Sequence, residues 1–423
     1  MQQLLIKNVH IMDPASREEY DGNILCENGK IVSLGACEAP EGATVIDGSG
    51  CIAAPGFVDA HVHFRDPGFT AKEDIYTGAK AAAAGGFTSV IMMANTKPAI
   101  DSVETLQYCL NKGKETGIHV YSACTVTKGM EGKELSPLKT LHQAGAVCFT
   151  DDGKPILDEA LVEKAMLLAK ESDVPISFHE EDPAYIKTNG IHEGTVSEEL
   201  GIPGSPREAE ITMIARDCEI AIKTGAKVVI QHISSKEGVE LVRTYKKKGA
   251  SIYAEATPHH FSLTHEAVRK HGTYAKMNPP LREEEDRLAV IEGLKDGTIS
   301  MIATDHAPHT KEEKAASEFG KAPSGIIGLE TSLSLGIKNL VQSGALSMMD
   351  LMDRMSLGTA SLYKLPAGVL QVGEPADLVI FDPKATKVAG DYASKAENTP
   401  FTGEELPGVV KYTICDGEIV YRG

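Results

Sequence analysis

The sequence has no tryptophan, and aromatic residues make up only 5% of it. Flat rings that could stack on bases are therefore scarce. Positive charge is also in deficit, with 42 Lys and Arg against 60 Asp and Glu, a formal net charge of −18. Such a chain repels nucleic acid and anionic membranes, which leaves a small molecule as the expected partner. A small anion held by one local arginine is compatible with that balance. No run of roughly 18 apolar residues occurs, and no basic leader opens into an apolar stretch. A cytoplasmic protein is expected. The eight cysteines, at 26, 37, 51, 109, 124, 148, 218 and 415, form no C-x-x-C pair. Scattered reduced thiols fit better than a disulfide framework.

What is present is ample core material. The chain has 423 residues, 42% hydrophobic and 24% charged, which suffices for a large core and two domains. From about residue 56 to 365, apolar β-rich runs alternate with helical stretches. The expected strands are Gly56–Ala60, Thr88–Met93, His119–Thr125, Ala146–Thr150, Pro175–Phe178, Lys227–Gln231, Ser251–Glu255 and Ser300–Ala303. Helical stretches include Ser102–Thr116, Leu157–Ser172 and Arg207–Thr224. Eight such units in about 300 residues match a TIM-type (β/α)8 barrel. An open doubly wound sheet is the second choice, weakened because no G-x-G-x-x-G follows the first strand. The two ends read differently. Short apolar runs are punctuated by Asn28-Gly29, Asp47-Gly48 and Gly50, and later by Asp416-Gly417, which are hairpin signals. Residues 1–55 and 366–423 are expected to join in a small β-sandwich domain beside a barrel of residues 56–365.

The chemistry gathers at the strand ends. His61 and His63 close the first strand, and residues i and i+2 of a strand share a face, so both imidazoles can reach one metal ion. Arg65 follows with a planar fork suited to a carboxylate. The other strand ends carry Asn95, Asp151 and Asp152, His179, His232, His259 and His260, and Asp305. In a barrel these positions line one face. A single histidine is more often a satisfied polar residue, but histidine or aspartate from several strands at one face points to a metal centre. Nitrogen and oxygen donors suit zinc, with manganese or cobalt open. The donors exceed what one tetrahedral ion needs, and two ions with a bridging carboxylate account for the surplus.

The string Pro55-Gly56-Phe57-Val58-Asp59-Ala60-His61-Val62-His63-Phe64-Arg65-Asp66-Pro67-Gly68 resembles the dihydroorotase branch of the amidohydrolase superfamily. So do Met92-Met93-Ala94-Asn95-Thr96, Phe149-Thr150-Asp151-Asp152-Gly153, Phe178-His179-Glu180-Glu181-Asp182 and Gln231-His232-Ile233-Ser234. Lys276-Met277-Asn278-Pro279-Pro280-Leu281-Arg282, Ala303-Thr304-Asp305-His306-Ala307-Pro308-His309 and the tail Gly373-Glu374-Pro375-Ala376-Asp377-Leu378-Val379 continue the likeness along nearly the whole chain. The resemblance implies two Zn2+ per chain, with His61, His63 and Asp305 on the first and His179 and His232 on the second. Asp152 would bridge them where many relatives carry a carbamylated lysine; Asp151 is the alternative. Lys154 is expected to be a loop residue. Arg65, Asn95 and His309 would read a substrate carboxylate, with His63 beside it and Asn278 on the ring amide. Ser324 and Gly325 lie in a segment, Ala322-Pro323-Ser324-Gly325, that resembles a family loop whose backbone touches the ring. Relatives usually have Phe at the Ser324 position. Glu180 stands where close relatives often have Cys. His306 is expected behind the ligands, and His259 and His260 in packing or loop roles. The charged stretch Thr310–Lys321 reads as a flap over the site or as a solvated connection.

The implied activity is reversible interconversion of (S)-dihydroorotate and N-carbamoyl-L-aspartate in pyrimidine synthesis. A metal-bridging hydroxide would attack, with Asp305 as general base and then acid. Another cyclic amidase, an allantoinase or hydantoinase, is the alternative, although those usually carry the bridging lysine and their substrates mostly lack the carboxylate. A non-catalytic scaffold for aspartate transcarbamoylase is the reading from another class. A homodimer and a transcarbamoylase complex remain open as partners.

Overall fold

The computed structural model describes residues 3–316 and 318–423. Among the described residues, sixteen strands form two sheets. The terminal strands are β1 (Gln3–Asp13), β2 (Glu18–Glu27), β3 (Lys30–Gly35), β4 (Thr44–Asp47) and β5 (Ile52–Pro55), then β14 (Leu378–Val388), β15 (Glu405–Cys415) and β16 (Glu418–Arg422). The barrel strands are β6 (Phe57–Val62), β7 (Phe87–Met92), β8 (His119–Cys124), β9 (Cys148–Phe149), β10 (Ile176–Phe178), β11 (Val228–Ile230), β12 (Ile252–Ala256) and β13 (Met301–Ile302). All eight barrel strands fall where the apolar runs place them.

Strands β6 to β13 pair in sequence order, and every pair is parallel. The ring nears closure where Val62 bridges His306 and the His63 amide donates to the His306 carbonyl. Helices fill the crossovers. Val103–Gly113 opens on a Ser102 cap, and Glu159–Glu171 on an Asp158 cap. Both side chains accept hydrogen bonds from first-turn amides that the helix leaves unpaired. The barrel interior is a packed layer, not a channel. Val58, Ala60, Ile91, Ala123, Val229 and Met301 meet there, with Leu362 and Tyr363 in the same cluster.

Strand β6 contains the irregularity that aims the site. Val58 and Ala60 belong to the interior cluster, and strict alternation would put Val62 there too. Instead Val62 packs in the outer cluster with the helices. The register against β7 shifts between Asp59 and Val62. Such a shift re-aims side chains, which is how irregular strands serve active sites.

The chain ends share one sheet, in the order β16-β15-β14-β5-β1-β2-β3, with β4 also on β1. Its core holds Leu4, Ile6, Ile24, Ala53, Leu378 and Ile414, from both termini. Asn28-Gly29 and Asp416-Gly417 turn the hairpins β2–β3 and β15–β16, as their dipeptides suggest. Asp47-Gly48 does not turn a hairpin. It joins β4 and β5, which both run parallel to β1, one beside Leu4–Lys7 and the next beside His10 and Ile11. The turn steps the chain past the bulge of β1 between Ile6 and Val9.

The helix Ile75–Ala84 lies against Phe64, the buried residue just before Arg65. A Cβ on Gly78 would sit 2.3 Å from the Phe64 ring. The variant G78A is expected to lose roughly 1–3 kcal/mol through overpacking. Calorimetry should show a lower Tm; an unchanged Tm would mean that the ring yields without cost.

Candidate metal centre

Four histidines surround one aspartate. Asp152 Oδ1 lies 3.5 Å from His61 Nε2, 3.7 Å from His179 Nδ1 and 3.8 Å from His232 Nε2. Its Oδ2 lies 3.5 Å from His63 Nε2. Asp305 Oδ1 stands 3.0 Å from His63 Nε2 and 3.5 Å from His61 Nε2. All six side chains are buried. Asp151 points elsewhere. It accepts the Val126 and Thr127 amides and the Thr127 hydroxyl, so it fastens the loop after β8.

The outer nitrogens of three of these rings settle which nitrogen carries hydrogen. His61 Nδ1 lies 3.0 Å from Glu255 Oε2, and a carboxylate only accepts, so Nδ1 is protonated and Nε2 offers a lone pair. His179 Nε2 is tied in the same way to Glu181 Oε2 at 3.0 Å. His63 Nδ1 donates to Asn95 Oδ1, whose amide is oriented by Nδ2 donating to Asp152 Oδ2. The inner nitrogens of these three rings can therefore turn lone pairs inward, those of His61 and His63 toward carboxylate oxygens and that of His179 toward His232 Nε2. His61 Nε2 has no hydrogen-bond partner, and His179 Nδ1 lies 3.0 Å from His232 Nε2. Lone pairs facing carboxylate oxygens in a buried space favour positive charge between them, from a proton or a bound cation. A pinned outer nitrogen and a free inner lone pair are what a metal-binding histidine needs. Two overlapping triads can each hold an ion: His61, Asp152 and His232, and His61, His63 and Asp305.

The titration directions favour positive charge at the same place, either as a second proton on His61 and His179 or as a bound cation. Burial works against a charged His61, yet Asp152 and Glu255 hold it well above its ordinary value. Burial also opposes the charge on His179, but Asp152 and Glu181 raise it to about 10. Burial would raise Asp152 and Asp305, but the surrounding imidazoles hold both below the usual carboxylate range. Each group is set for an ionic centre.

The backbone is unusual at the same places. His232, Asp305 and Arg65 adopt φ of 31°, 48° and 60°. Positive φ in non-glycine residues costs energy and concentrates at functional sites. Asp59 pays part of that cost at Asp305. It accepts the His61 amide and both the amide and hydroxyl of Thr304, and so ties β6 to the residue before Asp305. Burial pushes the Asp59 carboxyl up to about 7, against those hydrogen bonds.

Above the centre opens a cavity of about 270 Å³. His63, Arg65, Asn95, Asn278 and His309 line it together with Asp152, His179, His232 and Asp305, and so do Ser324 and Gly325. Every residue assigned to substrate from the sequence thus shares one cavity with the histidine cluster. Lys72 Nζ donates to His309 Nδ1, which leaves Nε2–H to donate to the Ser324 carbonyl at 2.9 Å. Arg65 donates Nε–H to the Pro308 carbonyl, which fixes the plane of its fork. Ser324 Oγ donates to Asn278 Oδ1. His259 and His260 sit on the short helix Pro258–Ser262, and His260 bonds Thr257 and the Pro279 carbonyl, a packing role. His306 accepts the Gly328 amide behind the ligands. Glu180 is not at the cavity. Its carboxyl is buried beside Asp217 and Arg216 of the helix Glu208–Thr224, where burial and Asp217 raise it well above its ordinary value. The stretch Thr310–Lys321 is not simply solvated: Lys314 is 1% exposed.

Sequence reasoning missed Glu255, Glu181 and Asp59. The signal for Glu255 and Asp59 was available, since each is a lone carboxylate inside an apolar barrel strand, where charge is rarely left unpaired.

The Amidohydrolase family model matches residues 52–420. The chain is 54% identical to a dihydroorotase of Clostridioides difficile, over 99% of this chain and 100% of the relative. It is 51% identical to a dihydroorotase of Clostridium acetobutylicum, over 99% of both. Among solved structures, L-hydantoinase from Arthrobacter aurescens superposes with a TM-score of 0.89 at 24% identity, covering 100% of this chain and 96% of that one. D-hydantoinase from Thermus sp. gives 0.87 at 27%, covering 99% and 95%.

Glu255 offers a test of the pinned tautomers. E255Q removes the charge that holds His61 Nδ1–H. Divalent-cation affinity is expected to fall roughly 10–100-fold, read by competition with a chromophoric chelator. Unchanged affinity would show that His61 needs no such support.

Proposed function

The chain belongs to the amidohydrolase family, and from that premise we propose that it is a dihydroorotase, which opens and closes the ring between (S)-dihydroorotate and N-carbamoyl-L-aspartate in pyrimidine (UMP) synthesis. The observation that carries this reading is Arg65 beside Asn95 and His309, in one cavity with the histidine–aspartate cluster. A cyclic amide with an exocyclic carboxylate uses both halves of that cavity. The full-length likeness to dihydroorotases supports it. The hydantoinases are more distant in sequence, and the likeness to the Arthrobacter enzyme shows the fold alone.

The residues fit two divalent cations, and the donor chemistry favours zinc. His61, His63 and Asp305 would hold one, His179 and His232 the other, and Asp152 would touch both. When bound, such ions polarise an amide carbonyl and lower the pKa of water. The protein supplies the rest. Arg65 offers a bidentate fork to the substrate carboxylate, and Asn95 and His309 flank it. Asn278 faces the ring amide. Asp305 takes the proton of the attacking water and returns it to the leaving ring nitrogen, as base and then acid. Its carboxyl is well suited to start ionised, because His63, His61 and His232 outweigh its burial. Asn95 also bonds His63 and Asp152, so it couples carboxylate recognition to the cluster. No helix among the described residues is long and apolar enough to cross a membrane, in keeping with a cytoplasmic enzyme acting on a small molecule. A homodimer or an aspartate transcarbamoylase complex is the protein partner proposed.

Turnover of dihydroorotate, hydantoin and allantoin by protein purified without chelator decides the substrate. Dihydroorotate alone should turn over, with two zinc ions per chain by mass spectrometry. Absence of dihydroorotate turnover at full metal load would sink the reading. Two substitutions separate binding from chemistry. R65K should raise KM roughly tenfold or more by losing the planar fork, with kcat little changed. D305N should lower kcat on the order of 100-fold or more. Equal effects of R65K on kcat would argue against a carboxylate clamp.

A further inference from the structure

Two buried lysines outside the proposed chemistry converge on one loop. Lys276 and Lys314 are each 1% exposed. Neither has a carboxylate partner within salt-bridge distance among the described residues. Lys276 Nζ donates to the carbonyls of Phe319, Gly320 and Ala322, at 2.9, 3.3 and 2.7 Å. Lys314 Nζ donates to those of Pro323 and Gly325, both at 3.0 Å. The Ser324 carbonyl between them accepts His309 Nε2–H, and Asn398 adds a second donor to Gly325. Four consecutive carbonyls, from Ala322 to Gly325, are therefore each taken by a side chain. The same four residues line the cavity of the metal centre.

Burying two ammonium groups is expensive. Burial pushes Lys276 down to about 8 and Lys314 to about 7. The fit around them is close. The Lys276 stem crosses Gly190, where a Cβ would lie 2.5 Å from its Cγ, and its ammonium stands 5.2 Å from the centre of the Phe319 ring. A fold that only needed apolar filling would carry leucine or methionine there.

We propose that Lys276 and Lys314 are positioning residues that hold the carbonyls of residues 319–325 away from the cavity, so that an anionic substrate meets the loop without facing its negative ends. The identity of that anion rests on the dihydroorotase reading, whereas the hold on the loop rests on the hydrogen-bond geometry. Carbonyl oxygens carry partial negative charge, and released carbonyls next to Arg65 would compete with a carboxylate for its fork. N-carbamoyl-L-aspartate carries two carboxylates, so it would suffer more than dihydroorotate, which carries one. Neither lysine contacts reacting atoms in this scheme. They act through the loop, and on binding more than on the chemical step.

The test uses K276M and K314M in the metal-loaded full chain, with K314Q, which keeps N–H donors, as the conservative variant. K321M is the control, because Lys321 is exposed and pairs only with Glu318 on this loop. Both methionine variants should raise KM about tenfold, more for N-carbamoyl-L-aspartate than for dihydroorotate, with kcat within about twofold. Hydrogen exchange at the amides of 319–325 should quicken in the methionine variants. K314Q should recover much of both effects, and K321M should change neither. Unaltered exchange and unaltered KM in variants that fold would overturn the proposal, as would a loss of kcat at constant KM. If one methionine variant fails to fold, the other carries the same readouts. A wild-type protein inactive on dihydroorotate would remove the proposed substrate, while exchange at 319–325 would still report whether the lysines hold the loop.

Discussion

Everything at the mouth of this barrel depends on one electrostatic constraint: four imidazoles meet the oxygens of Asp152 and Asp305 at the buried floor of the cavity. Left alone, those groups repel. Positive charge between them, carried by protons or by a bound cation, stabilises the arrangement, and fixed tautomers keep the lone pairs pointed inward. Glu255, Glu181 and Asn95 supply that fixation for His61, His179 and His63. The histidines would be ordinary buried residues if their outer nitrogens were free to exchange roles with the inner ones. The pinned hydrogens turn them into a ligand set.

The fold carries that constraint outward. Parallel strands end together, so His61 in β6 and the residues just after β6, β9, β10, β11 and β13 reach one face. The register shift in β6 sends Val62 to the outer core and keeps His61 and His63 at the mouth. Asp59 then links His61 to Thr304 across the seam where the barrel closes. The cost of burying its carboxyl is borne within the same seam that positions Asp305. Strain at Arg65, His232 and Asp305 and the burial of Asp59 are two forms of one expense, spent where the site needs rigid aim.

Much of this was legible in the sequence because the signals were local. An apolar run followed by His-x-His reads as a strand end with shared facing, and eight such runs at regular spacing read as a barrel. Asn28-Gly29 and Asp416-Gly417 gave true hairpins because antiparallel neighbours flank them. Asp47-Gly48 did not, because whether two adjacent strands pair with each other or with a third is decided by tertiary packing on β1. Residues separated by long stretches of chain were harder. Glu255 lies 194 positions from His61, and nothing local announces their hydrogen bond. Glu180 illustrates the opposite error. It directly follows His179 beyond the end of β10, so adjacency to a ligand points to the cavity, yet its carboxyl lies with Asp217.

The charged segment 310–321 shows why composition alone misreads a loop. Lysine and glutamate in a row usually mean a solvated connection. Here the apolar stem of Lys314 is buried and its ammonium is spent on backbone carbonyls of the next segment. Lys276, from the other side, does the same. A loop has no sheet or helix to pair its carbonyls, so one that must stay ordered beside a wet cavity needs donors from elsewhere. Neutral donors would satisfy the count. Amines do more in their protonated form, because they also offset the negative edge that the loop would otherwise turn on an anionic guest. The histidine–aspartate cluster gathers acceptors where a cation would sit, whereas the loop sets ammonium groups behind its acceptors, and the cavity lies between the two.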